Sequence, residues 1–195
     1  DQTQKALLII RNPIDVLFSA LNYRRLSGMT PQQMSDEQYA RAFIAAKGDP
    51  QFEALGYGTW PGHISSWQSQ SIFPVHTIRY EDLKADTSAV LRTMLDFLEI
   101  ETTQSAIDRA QSASTFDAMR AMEIREKHQR AKDAKKQSLF VGTESARQAG
   151  TYFMNSGTIG HTLAEIAPDL QSTFDHAFAQ PMKALGYATD EHKRL

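Results

Sequence analysis

The chain alternates short apolar runs with longer stretches in which apolar positions return every three or four residues. Ala6 to Ile10 is continuously apolar, the pattern of a strand covered on both faces of an α/β sheet. Asn12-Pro13 stops it, and the proline suits the first position of a helix predicted over Pro13–Ser27, with Gly28 behind it. Met34, Tyr39, Phe43 and Ile44 recur at helical spacing, so a second helix is expected over Pro31–Ala46 after a Thr30-Pro31 cap. Residues 51–59 read as a loop that enters another helix at Trp60-Pro61, fraying around Ser69–Ser71. Pro74 to Tyr80 alternates like a strand, and Glu81-Asp82-Leu83 turns the chain. Asp86-Thr87 then opens an amphipathic helix with Val90, Leu91, Met94, Leu95 and Leu98 inward. Helices over Glu101–Ala113 and Phe116–Gln129 follow, then a glycine-punctuated loop through Gly160 and a closing helix from Leu163 to Leu185.

Strands that alternate with helices make this an α/β chain rich in helix. At 195 residues it has the size of one domain, and a net charge of −2 points to neither nucleic acid nor an acidic membrane surface. Any anion site must therefore be a local gathering of donors. The absence of cysteine excludes disulfides, thiolate catalysis and cysteine-held zinc, and fits a reducing, cytoplasmic setting. No apolar run reaches the ~18 residues of a membrane span, and the histidines show no His-x-x-x-His pair for a metal. The run Arg125, Lys127, Arg130, Lys132, Lys135 and Lys136 is diluted by Glu126 and Asp133 and reads as a solvated face.

Candidate chemistry gathers at the first corner. Arg11 stands at the carboxyl end of the first strand, where open α/β sheets bind ligands, and Ser19 lies further along the helix that follows. A guanidinium and a hydroxyl suit a phosphate. Tyr80, at the end of the second strand, can offer its hydroxyl to a phosphate or an adenine nitrogen, although a tyrosine there is also an ordinary core residue. Thr115 reads equally as a helix cap and Phe116 as the first core residue of its helix. His63, between Trp60 and Trp67, reads as a packing residue.

Several segments resemble the sulfotransferases that use 3′-phosphoadenosine 5′-phosphosulfate (PAPS). Arg11-Asn12-Pro13-Ile14-Asp15-Val16-Leu17-Phe18-Ser19 is similar to the family's Arg-Asn-Pro-x-Asp-Val-x-x-Ser. Tyr80-Glu81-Asp82-Leu83 looks like its Tyr-Glu-Asp-Leu, and Ser114-Thr115-Phe116-Asp117-Ala118-Met119 like its Ser/Thr-Ser-Phe turn. The stretch Tyr57 to Trp67 resembles a segment that helps to wall the acceptor pocket. The resemblance implies that Arg11 and Ser19 hold the 3′-phosphate, that Tyr80 faces the nucleotide, that Ser114 and Thr115 contact adenine or phosphate, and that Phe116 stacks on the adenine. It also implies a P-loop-NTPase-like parallel sheet flanked by helices, with residues 1–195 as the carboxyl-terminal majority of a single domain.

Two departures qualify the likeness. The family's Pro-Lys-Ser/Thr-Gly-Thr loop, which cradles the 5′-phosphosulfate, has no counterpart here, and the usual catalytic histidine would precede Asp1. The chain opens on Asp1 and meets its first strand within a few residues, so an amino-terminal part of the sheet is expected to be missing, and no catalytic residue is assigned. In the carboxyl-terminal motif, the family's Arg-Lys-Gly becomes Asn155-Ser156-Gly157. The resemblance thus implies neutral donors at the 3′-phosphate, with Arg147 a candidate to restore the cation.

The leading expectation is transfer of a sulfuryl group from PAPS to a hydroxyl or amine of a small-molecule acceptor, without a metal. The alternative is a catalytically inactive nucleotide-binding or scaffold remnant of the same fold. A P-loop kinase relative shares the corner but needs a Walker lysine, which the sequence lacks. Neither nucleic acid nor membrane is an expected partner, a homodimer is left open, and Lys135-Lys136 is a candidate lid.

Overall fold

A computed structural model describes residues 3–28, 34–132 and 142–187. Strand β1 (Ala6–Ile10) leads through Asn12-Pro13 into helix α1 (Pro13–Ser27). Helices α2 (Asp36–Ala46), α3 (Pro50–Ala54) and α4 (Trp60–Ser69) precede β2 (Val75–Arg79). Then come α5 (Tyr80–Ala85), α6 (Thr87–Leu98), α7 (Gln104–Ala113), α8 (Phe116–Lys132), α9 (Glu144–Gln148), a 3₁₀ turn (Leu163–Glu165) and α10 (Leu170–Ala184). The two strands pair in parallel with Ala6 opposite Val75 and Ile10 opposite Arg79. A parallel pair needs a crossover, and α1 to α4 supply it.

The chain forms two compact units. The first comprises residues 1–20, 34–100 and 159–195. Its core joins Leu8, Ile10 and Ile78 of the sheet with Ile14 and Leu17 of α1, Phe43 and Ile44 of α2, and Leu170, Phe174, Phe178 and Met182 of α10. Phe178 is the hub: its ring stacks on Phe174 at 4.5 Å and also meets Phe43 and Trp60. Burying one such ring contributes on the order of 1.5–3 kcal/mol. The second unit comprises residues 21–33 and 101–158. It is more polar inside, with Asn22, Glu123 and Lys127 buried beside Leu21, Leu26 and Ile107.

Several expectations are corrected. Helix α2 starts at Asp36 behind a Ser35–Gln38 capping box, because Ser35 and Gln38 satisfy each other's amide ends. Thr30, and Pro31 to Gln33, lie outside the described residues. The loop over 51–59 contains α3, opened by an Asp49 cap and Pro50 at the first helical position. Glu81-Asp82-Leu83 belongs to a helix, α5, rather than a bare turn. The glycine-punctuated stretch before Gly160 includes α9. The closing helix is broken: the 3₁₀ turn ends near Ile166, Pro168 intervenes, and α10 begins at Leu170. Nor is β1 covered on both faces, since Leu8 and Ile10 are buried while Ile9 is 51% exposed.

Candidate functional site

The first unit builds its site on the corner after β1. The side chain of Asn12 accepts a hydrogen bond from the Ile14 amide at 2.9 Å, and the Asn12 carbonyl accepts one from Val16 at 3.0 Å, which starts α1. The Asn12 amide in turn donates to the Glu81 carboxylate at 2.8 Å. The Trp60 indole N–H donates to the Arg11 carbonyl at 3.1 Å. The Arg11–Asn12 peptide is thereby held at its carbonyl from α4 and at its amide from α5.

The Arg11 side chain is held too. Its guanidinium carbon lies 4.6 Å from the centre of the Tyr80 ring, a cation–π contact, and its Nε is 4.0 Å from the Asp15 carboxylate. Asp15 is 2% exposed and is matched by backbone donors, accepting from the Gly160 and His161 amides at 3.1 and 3.0 Å. The His161 ring stacks on Phe18 at 4.2 Å, and its Nδ1 is 3.1 Å from Glu165. Ser19 is exposed one turn beyond Asp15 on α1.

Behind the corner, Glu81 also accepts from the Tyr187 hydroxyl at 3.2 Å. Arg79 lies 4.3 Å over the Tyr187 ring and donates to the Gly186 carbonyl. Burial, followed by the nearby Glu81 charge and its hydrogen bond, pushes the Tyr187 hydroxyl above its ordinary range, so it stays protonated. His63 is exposed in the first turn of α4 with its ring edge-on to Trp67.

The second unit assembles a different group. The Ser114 hydroxyl donates to the Ala110 carbonyl at 2.8 Å and closes α7, while the Thr115 hydroxyl accepts from the Ala118 amide at 3.2 Å and caps α8. Phe116 packs on the backbone of Gly157, where φ is +64° and an added Cβ would fall 2.5 Å from the ring. Only glycine suits that approach. Asn155 and Ser156 are exposed, and the Ser156 hydroxyl accepts from the Thr158 amide at 3.2 Å.

This loop is tied down by residues that sequence reasoning missed. Glu123 is fully buried and accepts from the Phe153 and Met154 amides at 2.7 and 2.8 Å, with Lys127 Nζ at 2.7 Å. Burial alone would raise its carboxyl, but Lys127 and the two amides outweigh burial and hold it below the usual range. Lys127 and Arg120 both contact the Tyr152 ring, at 4.4 and 3.7 Å, and Arg120 donates to the Met154 carbonyl. Lys127 is therefore no part of a solvated face. The usable signal was Glu123–Lys127 at i,i+4 spacing, which marks a pair on one face. Arg147 lies on α9 with its side chain outside the described structure, as are Lys135 and Lys136.

Residues 1–186 match the sequence model of the family described as "Sulfotransferase domain". The chain belongs to the sulfotransferase family. Human sulfotransferase 1C2 is 22% identical over 180 residues, covering 92% of this chain and 55% of that relative. Rat sulfotransferase 2A1 is 26% identical over 179 residues, covering 91% and 56%. The chain thus spans about half the length of the curated sulfotransferases it matches. Among solved structures, mouse sulfotransferase SULT7A1 complexed with PAP superposes with a TM-score of 0.67 at 21% identity, covering 97% of this chain and 60% of that one. Retinol dehydratase in complex with androsterone and inactive cofactor PAP gives 0.61 at 18% identity, covering 92% and 47%. These likenesses establish the sulfotransferase α/β fold. No helix among the described residues is long and apolar enough to cross a membrane.

Proposed function

We propose that the protein carrying this chain transfers a sulfuryl group from PAPS to a hydroxyl or amine of a small-molecule acceptor in the cytoplasm. The observation that carries the reading is the corner: a guanidinium at the carboxyl end of β1, seated on Tyr80 and steered by the buried Asp15 carboxylate. Such a pre-oriented, charge-assisted donor suits a phosphate monoester. The donors of each unit, taken by themselves, suit part of a bisphosphorylated nucleoside. In the first unit Arg11, Ser19 and Tyr80 serve the nucleotide. In the second, Phe116 offers its ring to the adenine, Ser114 and Thr115 border it, and Asn155, Ser156 and Gly157 supply neutral donors. No metal is assigned a role.

PAPS supplies the sulfuryl group, and the part of this chain is to bind and orient the nucleotide. Positioning accounts for much of the rate in group transfers of this kind. PAP-bound relatives of the same fold support the nucleotide assignment. Calorimetric titration with 3′-phosphoadenosine 5′-phosphate tests it, with micromolar binding expected and no binding at millimolar nucleotide overturning it. The neutral pair Asn155-Ser156 favours a second reading, a nucleotide-binding protein without transfer. Tight binding with no release of 3′-phosphoadenosine 5′-phosphate from PAPS across phenol, alcohol and amine acceptors would select that reading.

A further inference from the structure

The second unit holds two cations against the Tyr152 ring, and their surroundings differ. Lys127 is nearly buried and neutralised by Glu123 at 2.7 Å. Arg120 is half-buried, and among the described residues no carboxylate lies within ion-pair distance of it. Its guanidinium carbon sits 3.7 Å from the centre of the Tyr152 ring, and one N–H donates to the Met154 carbonyl. A guanidinium carries five N–H donors, so this anchoring fixes its position while leaving an edge for an anion. The anchoring carbonyl belongs to the residue before Asn155-Ser156-Gly157, the turn whose side chains are neutral. Arg120 also stands one helical turn after Phe116, whose ring rests on Gly157. The charge missing from the turn is thus present beside it, on the helix.

We propose that Arg120 is the cation of this turn and a binding residue for the 3′-phosphate of the nucleotide, taking over the charge that Asn155 and Ser156 do not carry. The inference rests on the nucleotide reading above and assigns a residue to it.

Calorimetry on the full chain uses two probes, 3′-phosphoadenosine 5′-phosphate and adenosine 5′-monophosphate, which lacks the 3′-phosphate. Arg120→Met keeps an apolar stem against Tyr152, and its melting curve reports whether the fold is intact. It is expected to weaken the bisphosphate about tenfold or more while changing the monophosphate less than about twofold, as loss of a charged hydrogen bond should. Asn155→Arg added to Arg120→Met is expected to recover most of that loss. Equal weakening of both probes overturns the assignment, because a purely structural role would have that signature. Bisphosphate binding unchanged by Arg120→Met overturns it as well, with the nucleotide reading intact. If Arg120→Met melts early, Arg120→Lys decides: a well-folded Lys variant that weakens the bisphosphate several-fold more than the monophosphate supports the assignment, and one that weakens both equally or neither overturns it. A wild-type chain that binds neither probe overturns the nucleotide reading itself.

Discussion

The guanidinium carbon of Arg11 lies over the ring of Tyr80, 4.6 Å from its centre. The two residues follow β1 and open α5, 69 positions apart, and adjacent parallel strands bring them together. Tyr80 thereby acts on Arg11, since a cation–π contact limits the rotamers the arginine samples.

This contact predicts graded losses. Arg11→Lys keeps the charge but loses the planar fork, and bisphosphate affinity should fall about tenfold. Tyr80→Leu should cost less, about two- to fivefold, since an exposed cation–π contact contributes only ~0.5–1 kcal/mol. Titration of both variants checks the order, and a Tyr80→Leu loss larger than that of Arg11→Lys would contradict it.

Glu123 should be the most sensitive polar position for stability. Glu123→Ala leaves the Phe153 and Met154 amides and the Lys127 charge without their acceptor, an expected cost of about 3–5 kcal/mol. Glu123→Leu combined with Lys127→Met should cost less than Glu123→Ala alone, because no buried charge remains. Chemical denaturation of the three proteins gives the ranking.

The same carboxylate sets an acid limit. Its folded pKa is depressed below the ordinary 4.5, so the unfolded chain takes up the proton first as pH falls. The stabilisation is fully present above pH 4.5 and is lost as pH drops through the lower folded value. Melting temperature against pH should show this fall, and Glu123→Gln should flatten it.

Tyr187 sets the opposite limit. Its pKa is raised, so only the unfolded chain ionises as pH climbs past the ordinary 10.0. Its contribution to stability is constant below that pH and declines above it. Tyr187→Phe should remove the alkaline decline while losing the hydrogen bond to Glu81, about 1 kcal/mol.

Gly157→Ala should separate the Phe116 ring from its seat. The methyl would sit 2.5 Å from the ring at a φ of +64°, so the ring must shift or the turn must change. Adenosine 5′-monophosphate, which reports the base, should bind about tenfold more weakly. Unchanged binding would separate Phe116 from the adenine.

Local rules made much of this chain legible. The apolar run of β1, the Asn12-Pro13 start of α1, the Asp86 cap of α6 and the motifs around Arg11, Tyr80 and Phe116 depend on neighbours in sequence, and periodicity and capping report those directly. What tertiary structure alone decided are contacts between residues far apart. That Glu81 braces Asn12 and Tyr187, that Asp15 holds the Gly160 and His161 amides, and that Arg120 reaches the Met154 carbonyl all follow from packing. The charged stretch that begins with Arg125 shows the same limit. Spacing can place Glu123 and Lys127 on one face of α8, but a buried ion pair looks like a solvated one until the amides of Phe153 and Met154 arrive to desolvate it.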